Sequence, residues 1–189
     1  MSYKFSKEKN ELVAWIPSVP ARYEKAKYED VPEYIRKLFE LIKETKRGIY
    51  IHGAVGTGKT HIAYALYRWC LPKTKMRGRF WNTTELLRDI RLDISRDAYN
   101  KKQNEEELMK YEGVLFLDDI GAERNTDWAT ETFYMVINNR YNHQLPMIFT
   151  SNLSIKELSI HLDDRIASRI VETCDIVELT GIDRRFKMK

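Results

Sequence analysis

No part of this 189-residue chain limits its possible folds more than Gly53-Ala54-Val55-Gly56-Thr57-Gly58-Lys59-Thr60, which fits G-x-x-x-x-G-K-[ST] at every fixed position. The setting fits too. The apolar run Ile49-Tyr50-Ile51-His52 precedes the loop, and a helical segment from Thr60 to about Leu71 follows, with Pro72 expected to stop it. A strand, a glycine-rich turn and a helix in that order predict a loop that cradles the phosphates of a nucleoside triphosphate. Glycines let backbone amides turn inward without Cβ obstruction, and the helix start adds the positive end of its dipole. Within the loop and just after it, Gly53, Ala54, Val55, Gly56, Thr57, Gly58, Lys59, Thr60 and His61 are the candidate nucleotide-binding residues. Lys59 is expected to reach the β/γ-phosphates and the Thr60 hydroxyl to ligate Mg²⁺.

The rest of the chain alternates strands with helices. Strands are expected over 79–83, 114–117, 147–150 and 176–179, besides 48–53. Helices are expected from Pro32 to the Lys46-Arg47-Gly48 stop, over 85–99, 131–141 and 163–171, with Ser154 and Glu157 as a capping box for a short one. Val114-Leu115-Phe116-Leu117 is apolar without alternation, as a parallel strand buried on both faces requires. The pattern predicts a parallel α/β sheet. Residues 1–30, charged and broken by Pro17 and Pro20, are expected to form an arm before a domain over 31–189.

Composition excludes several classes. With 43% hydrophobic residues the chain can bury a full core, and 32 basic against 28 acidic residues exclude a highly charged disordered tail. The chain has no apolar run of the ~18–20 residues that a membrane span needs, and its first ten residues lack a signal-peptide pattern. Cys70 and Cys174 have no metal-type spacing and suit buried thiols of a reducing compartment, so a cytoplasmic location without membrane contact is expected.

Three further features carry chemistry. The strand 114–117 ends in Asp118-Asp119. Asp118 is placed to hold Mg²⁺, and Asp119 to polarise an attacking water. The strand 147–150 ends in Ser151-Asn152, and Asn152 resembles the polar strand-end residue that in additional-strand ATPases contacts the γ-phosphate or the lytic water; the other reading is an Asn turn. Asp163 to Ile170 is a capped helix with Arg165 and Arg169 at i and i+4 on one face. An arginine of this kind supplied to a neighbouring subunit could stabilise transition-state charge, and either of the two could be that finger, with Arg169 preferred. The other reading of the pair is a salt-bridged solvent face.

The phosphate loop, the Asp-Asp strand end, the polar strand end and the Arg-x-x-x-Arg helix together resemble an AAA+ ATPase. Ile16-Pro17 to Tyr23, Tyr28-Glu29-Asp30, Leu117 to Arg124 with Asp127-Trp128, and Gly181-Ile182-Asp183-Arg184-Arg185 resemble bacterial helicase loaders of the DnaC/DnaI type. The resemblance implies an α/β P-loop NTPase of the additional-strand class, a three-layer sandwich around a five-stranded parallel sheet. Only eight residues follow Gly181, so the helical lid of most AAA+ proteins is expected to be lacking, leaving Arg184 or Arg185 for a nucleotide contact from that end. It also implies ATP as ligand and a weak ATPase activity stimulated by DNA or a partner. The implied partners are a replicative hexameric helicase, single-stranded DNA and further copies of the chain. Two departures stand out: Asp119 is one methylene shorter than the glutamate common at that position, and the thirty residues before the first helix are too few for the loaders' separate helicase-gripping domain.

Charge is segregated along the chain. Residues 65–102 hold ten basic and four acidic side chains, whereas 103–123 hold one and seven. The basic block contains Arg77, Arg79, Trp81, Arg88 and Arg91, in the region where initiator and loader ATPases contact single-stranded DNA. Otherwise these arginines are a solvated face, and Phe80 is expected to point into the sheet. A helicase loader is the leading expectation. An IstB-type transposition helper that binds duplex DNA, a small P-loop kinase and a nucleotide-gated adaptor with little hydrolysis are the alternatives.

Overall fold

The computed structural model describes residues 19–73, 77–96, 108–109 and 111–181. Its centre is a sheet of five strands, all parallel: β1 (Gly48–His52), β2 (Gly78–Asn82), β3 (Val114–Asp118), β4 (Met147–Ser151) and β5 (Cys174–Glu178), in the order β2-β3-β4-β1-β5. The strand inserted between β1 and β3 is β4, so the phosphate-loop strand and the Asp-Asp strand flank the polar strand end. This is the additional-strand arrangement the sequence implies.

Six helices cover the two faces among the described residues: α1 (Glu33–Thr45), α2 (Lys59–Lys73), α3 (Thr83–Arg96), α4 (Asp127–Asn142), α5 (Ile155–His161) and α6 (Asp164–Thr173). Alternation of side chains along the strands divides the core in two. Ile49, Ile51, Phe80, Phe116 and Ile148 pack against α1 and α2 on one face. Tyr50, Leu115, Leu117, Met147 and Phe149 pack against α3, α4, α5 and α6 on the other. Phe80 is therefore core, as expected. Trp81, on the opposite face of β2, is half-buried against the second core rather than splayed into solvent. No helix among the described residues is long and apolar enough to cross a membrane.

Several boundaries differ from expectation for local reasons. Helix α2 runs one residue past Pro72, to Lys73. Proline removes a hydrogen bond from the turn behind it, so it ends a helix without having to be its last residue. Helix α4 begins four residues earlier than expected, because the Thr126 side chain caps it by accepting from the Ala129 N–H. Strand β5 starts at Cys174 and ends at Glu178, since pairing with Gly48 to His52 sets its register rather than its own hydrophobicity. The segment before α1 forms two 3₁₀ turns (Ala21–Tyr23 and Tyr28–Asp30) that lie on α2. Tyr23 stacks on Tyr64 at 4.6 Å, Tyr28 on Trp69 at 4.3 Å, and Ala26 and Val31 are buried in the first core.

At the amino end of the sheet, Arg140 of α4 is fully buried. Its guanidinium donates to the carbonyls of Leu108 (3.2 Å), Tyr111 (2.8 Å), Gly113 (2.6 Å) and Pro146 (3.0 Å), fastening the approaches to β3 and β4 together.

Candidate functional site

All five strands point their carboxyl ends the same way, so the segments following β1, β3 and β4 meet at one edge. The phosphate loop turns with positive φ at Gly53 (146°), Gly56 (83°) and Gly58 (104°). At Gly53 a Cβ would lie 2.3 Å from the Leu179 carbonyl oxygen, so the loop can leave β1 beside β5 only without a side chain. Thr57 closes the loop by donating from Oγ1 to the Ala54 carbonyl at 2.9 Å. Lys59 is nearly buried and its Nζ donates to the Gly53 and Ala54 carbonyls, both at 2.8 Å, so the ammonium lies across the loop that would receive phosphate. His61 is half-buried on the first turn of α2.

Opposite the loop, the Asp118 carboxylate is buried and accepts from Thr150 Oγ1 at 2.6 Å, with the Thr60 hydroxyl beside it. Burial raises its pKa above the ordinary carboxylate value, an effect partly offset by those two hydroxyls. Asp118 and Thr60, far apart in sequence, thus form one oxygen-donor pair. This donor set fits a hard divalent cation that keeps most of its water and completes its shell on phosphate.

Asp119 follows with φ 65°, a left-handed backbone costing a non-glycine residue about 1–2 kcal/mol. Its N–H donates to Thr150 Oγ1 at 2.9 Å and its Oδ1 accepts from Asn152 Nδ2 at 3.2 Å. The candidate water-polarising carboxylate and the candidate sensor amide are therefore in contact. Thr150 organises the pair, giving its proton to Asp118 and accepting from the next backbone amide. Sequence reasoning passed over it; a hydroxyl at the end of an otherwise apolar strand, two residues before Asn152, was the available signal. Also unforeseen are Thr83 and Glu123, both buried, which meet the same turn from the other side.

Arg165 and Arg169 do not join this cluster. Both lie over tyrosines of α4: Arg165 over Tyr134 at 4.4 Å and Arg169 over Tyr141 at 4.3 Å. Arg165 is exposed and paired with Asp163 at 2.9 Å, whereas Arg169 donates from Nε to the Asn138 amide oxygen at 3.2 Å. Helix α6 packs on the sheet face away from α2, so Arg169 is turned from its own phosphate loop. Arg184 and Arg185 lie outside the described residues.

The basic candidates line the β2–α3 edge. Arg77, Arg88 and Arg91 are exposed. Arg79 lies over the Tyr111 ring at 4.6 Å, Arg91 over Trp128 at 5.4 Å, and Arg88 contacts Asp89 at 3.3 Å.

A phosphate loop on β1, a buried aspartate ending β3 and a polar end on the strand between them define a P-loop ATPase of the AAA+ class. Residues 29–189 match the family described as IstB-like ATP binding protein, and the chain belongs to that family. It is 28% identical over 173 residues to the replicative helicase loader DnaI of Bacillus subtilis, spanning 85% of this chain and 54% of that one. A crystal structure of the DnaC helicase loader superimposes with a TM-score of 0.72 at 24% identity, over 85% of this chain and 99% of that one. The replication initiator DnaA, in a structure with AMPPCP and single-stranded DNA, shares the fold at a TM-score of 0.71 and 20% identity, over 87% of this chain and 53% of that one. The chain spans about half the length of the curated relatives it matches.

Proposed function

We propose that this chain is an ATP-hydrolysing helicase loader that self-associates, binds single-stranded DNA and helps to place a replicative hexameric helicase. The observation that carries the hydrolytic part is the convergence of Thr60, Asp118, Asp119 and Asn152: Thr150 links Asp118 to the Asp119 amide, Asn152 bonds the Asp119 carboxylate, and the Thr60 hydroxyl lies beside Asp118. Likeness to a helicase loader supports the rest.

In this reading Lys59 exchanges its two loop carbonyls for β/γ-phosphate oxygens. Thr60 and Asp118 would hold Mg²⁺, which when bound offsets phosphate charge. The Asp119 carboxylate accepts a proton from the attacking water, and Asn152 Nδ2 fixes the orientation of that carboxylate. Arg169, held by a neutral amide and a ring and turned from its own loop, serves the phosphate site of a neighbouring subunit. Arg165 is already engaged with Asp163. Arg77, Arg88 and Arg91 follow a single-stranded backbone along the β2–α3 edge, with Arg79 beside them. Trp81 contributes by supporting β2. Family membership equally suits a transposition helper acting on duplex DNA, which predicts tighter binding to duplex than to single strands.

The test is assembly-dependent turnover. Arg169→Ala should leave the ATP affinity of dilute protein within about twofold while removing DNA-stimulated hydrolysis; fingers of this type contribute about 10³–10⁵ in rate. Mixing Arg169→Ala with Lys59→Ala protein should restore part of the activity, since one supplies an intact loop and the other an intact finger. No recovery on mixing, or weakened nucleotide binding in a monomeric Arg169→Ala protein, would remove the shared-site reading.

A further inference from the structure

Asp119 is held from two sides, and only the β4 side, Thr150 and Asn152, has so far been given a role. On the other side stands Thr83, the fully buried first residue of α3. Its hydroxyl lies 3.0 Å from the Asp119 carbonyl oxygen and 3.3 Å from Glu123 Oε2, so one proton is shared between a backbone and a carboxylate acceptor. Glu123, 6% exposed, accepts in turn from the Gly121 N–H with Oε1 at 3.2 Å and Oε2 at 3.1 Å. The Ala122 N–H then returns to the Asp119 carbonyl at 3.2 Å and closes the turn. Gly121, at φ 90°, is a second left-handed position in these four residues.

Glycine takes the φ of Gly121 freely, but the left-handed Asp119 persists only where surrounding bonds over-determine it. Thr83 and Glu123 are both buried, and their polar atoms bond the backbone of the turn that carries Asp119. We propose that Thr83 and Glu123 are positioning residues for Asp119: together they hold the Asp119–Ala122 turn in the conformation that keeps the Asp119 carboxylate at Asn152. The inference rests on Asp119 as the water-polarising group.

The experiment compares Thr83→Val, which keeps the shape and removes the donor, with Thr83→Ser, which restores the hydroxyl, and with Glu123→Gln. Three quantities are read: Mg-ATP affinity by calorimetry, single-turnover hydrolysis rate, and amide exchange over residues 118–123 against residues 49–58. Thr83→Val should hydrolyse about tenfold more slowly or worse at an affinity within about twofold of wild type, the split expected when only transition-state geometry is lost. Exchange over 118–123 should quicken in Thr83→Val and Glu123→Gln while 49–58 stays unchanged, and Thr83→Ser should match wild type throughout. A Thr83→Val protein with wild-type rate and exchange overturns the proposal. So does a parallel loss of affinity and rate that Thr83→Ser fails to rescue. Should wild type hydrolyse nothing, the water-polarising role of Asp119 falls by itself. Exchange then decides the positioning claim alone, and unchanged exchange in both variants rejects it.

Discussion

The two ends of the sheet join the same pair of strands, β3 and β4, by opposite means. At the amino end a single cation, Arg140, is surrounded by four carbonyl oxygens and fully withdrawn from water. At the carboxyl end the bonds run between hydroxyls, an amide and two carboxylates: Thr150 to Asp118, Asn152 to Asp119, Ser151 to the Ile120 carbonyl. Burial works against the charge at both ends, lowering the Arg140 pKa to about 10 and raising that of Asp118. Yet a guanidinium at that value stays charged at neutral pH with its carbonyls in place, whereas the Asp118 carboxylate has two hydroxyls and the Lys59 ammonium against its burial and the neighbouring Asp119 charge. One end is built for holding, and the other gathers two adjacent carboxylates and an ammonium at the edge a ligand would meet. Buried charge by itself does not mark a site; what surrounds it does.

The largest expected effect separates the ends most sharply. Lys59→Ala should lower ATP affinity by roughly a hundredfold or more, since a charge-assisted contact to phosphate is lost inside an amide nest. Its thermal midpoint should move by no more than a few degrees, because no core contact is removed. Unchanged affinity in a titration would undo the assignment of the carboxyl end.

Arg140→Met tests the other end. Several buried carbonyls lose their donors at about 1–3 kcal/mol each, so a destabilisation of about 3 kcal/mol or more is expected in urea unfolding. Arg140→Lys should rescue little, as one ammonium lacks the planar fork that reaches carbonyls from both strand approaches. ATP affinity of the folded fraction should match wild type. A selective loss of nucleotide binding with normal stability would contradict the division between the ends.

The same contrast explains what was legible in the sequence. Groups whose role depends on neighbours in sequence could be read directly: the phosphate loop, the Ser154–Glu157 capping box and the apolar run of β3 all stand where expected. Asp118, Asp119 and Asn152 were legible because strand ends in a parallel sheet share an edge. Thr150, Thr83, Glu123 and Arg140 were not, since each matters through a partner 6 to 40 positions away whose placement the register alone decides. The stacking of Arg165 and Arg169 on Tyr134 and Tyr141 escaped notice for the same reason: helical spacing puts each pair on one face but does not say which helices face each other. Likewise Trp81 was grouped with the basic edge by sequence proximity, while strand alternation turns it inward.

The smallest expected effect is a gain in stability. Asp118→Asn should reduce Mg²⁺-dependent turnover by about a hundredfold or more, because a neutral amide holds a hard cation poorly. It should nonetheless unfold at a higher temperature than wild type near neutral pH. The amide oxygen can still accept from Thr150, and the buried charge is gone. The sign follows from linkage. A carboxyl group whose folded pKa is raised binds more protons in the folded than in the unfolded state, so its stabilising contribution is complete below the unfolded value and is lost as pH rises through the folded one. Wild type should therefore lose stability against Asp118→Asn as pH rises across that window, and the gap should be widest at neutral pH. Glu123 is shifted in the same direction by its own burial, but it is present in both proteins and cancels in the difference. Thermal unfolding of the two proteins across the acid to neutral range, without nucleotide, measures the gap. A gap that does not change with pH, or an Asp118→Asn protein less stable than wild type at neutral pH, would mean that Thr60 and Thr150 already compensate the carboxylate, and the carboxyl end would then be as structurally satisfied as the amino end.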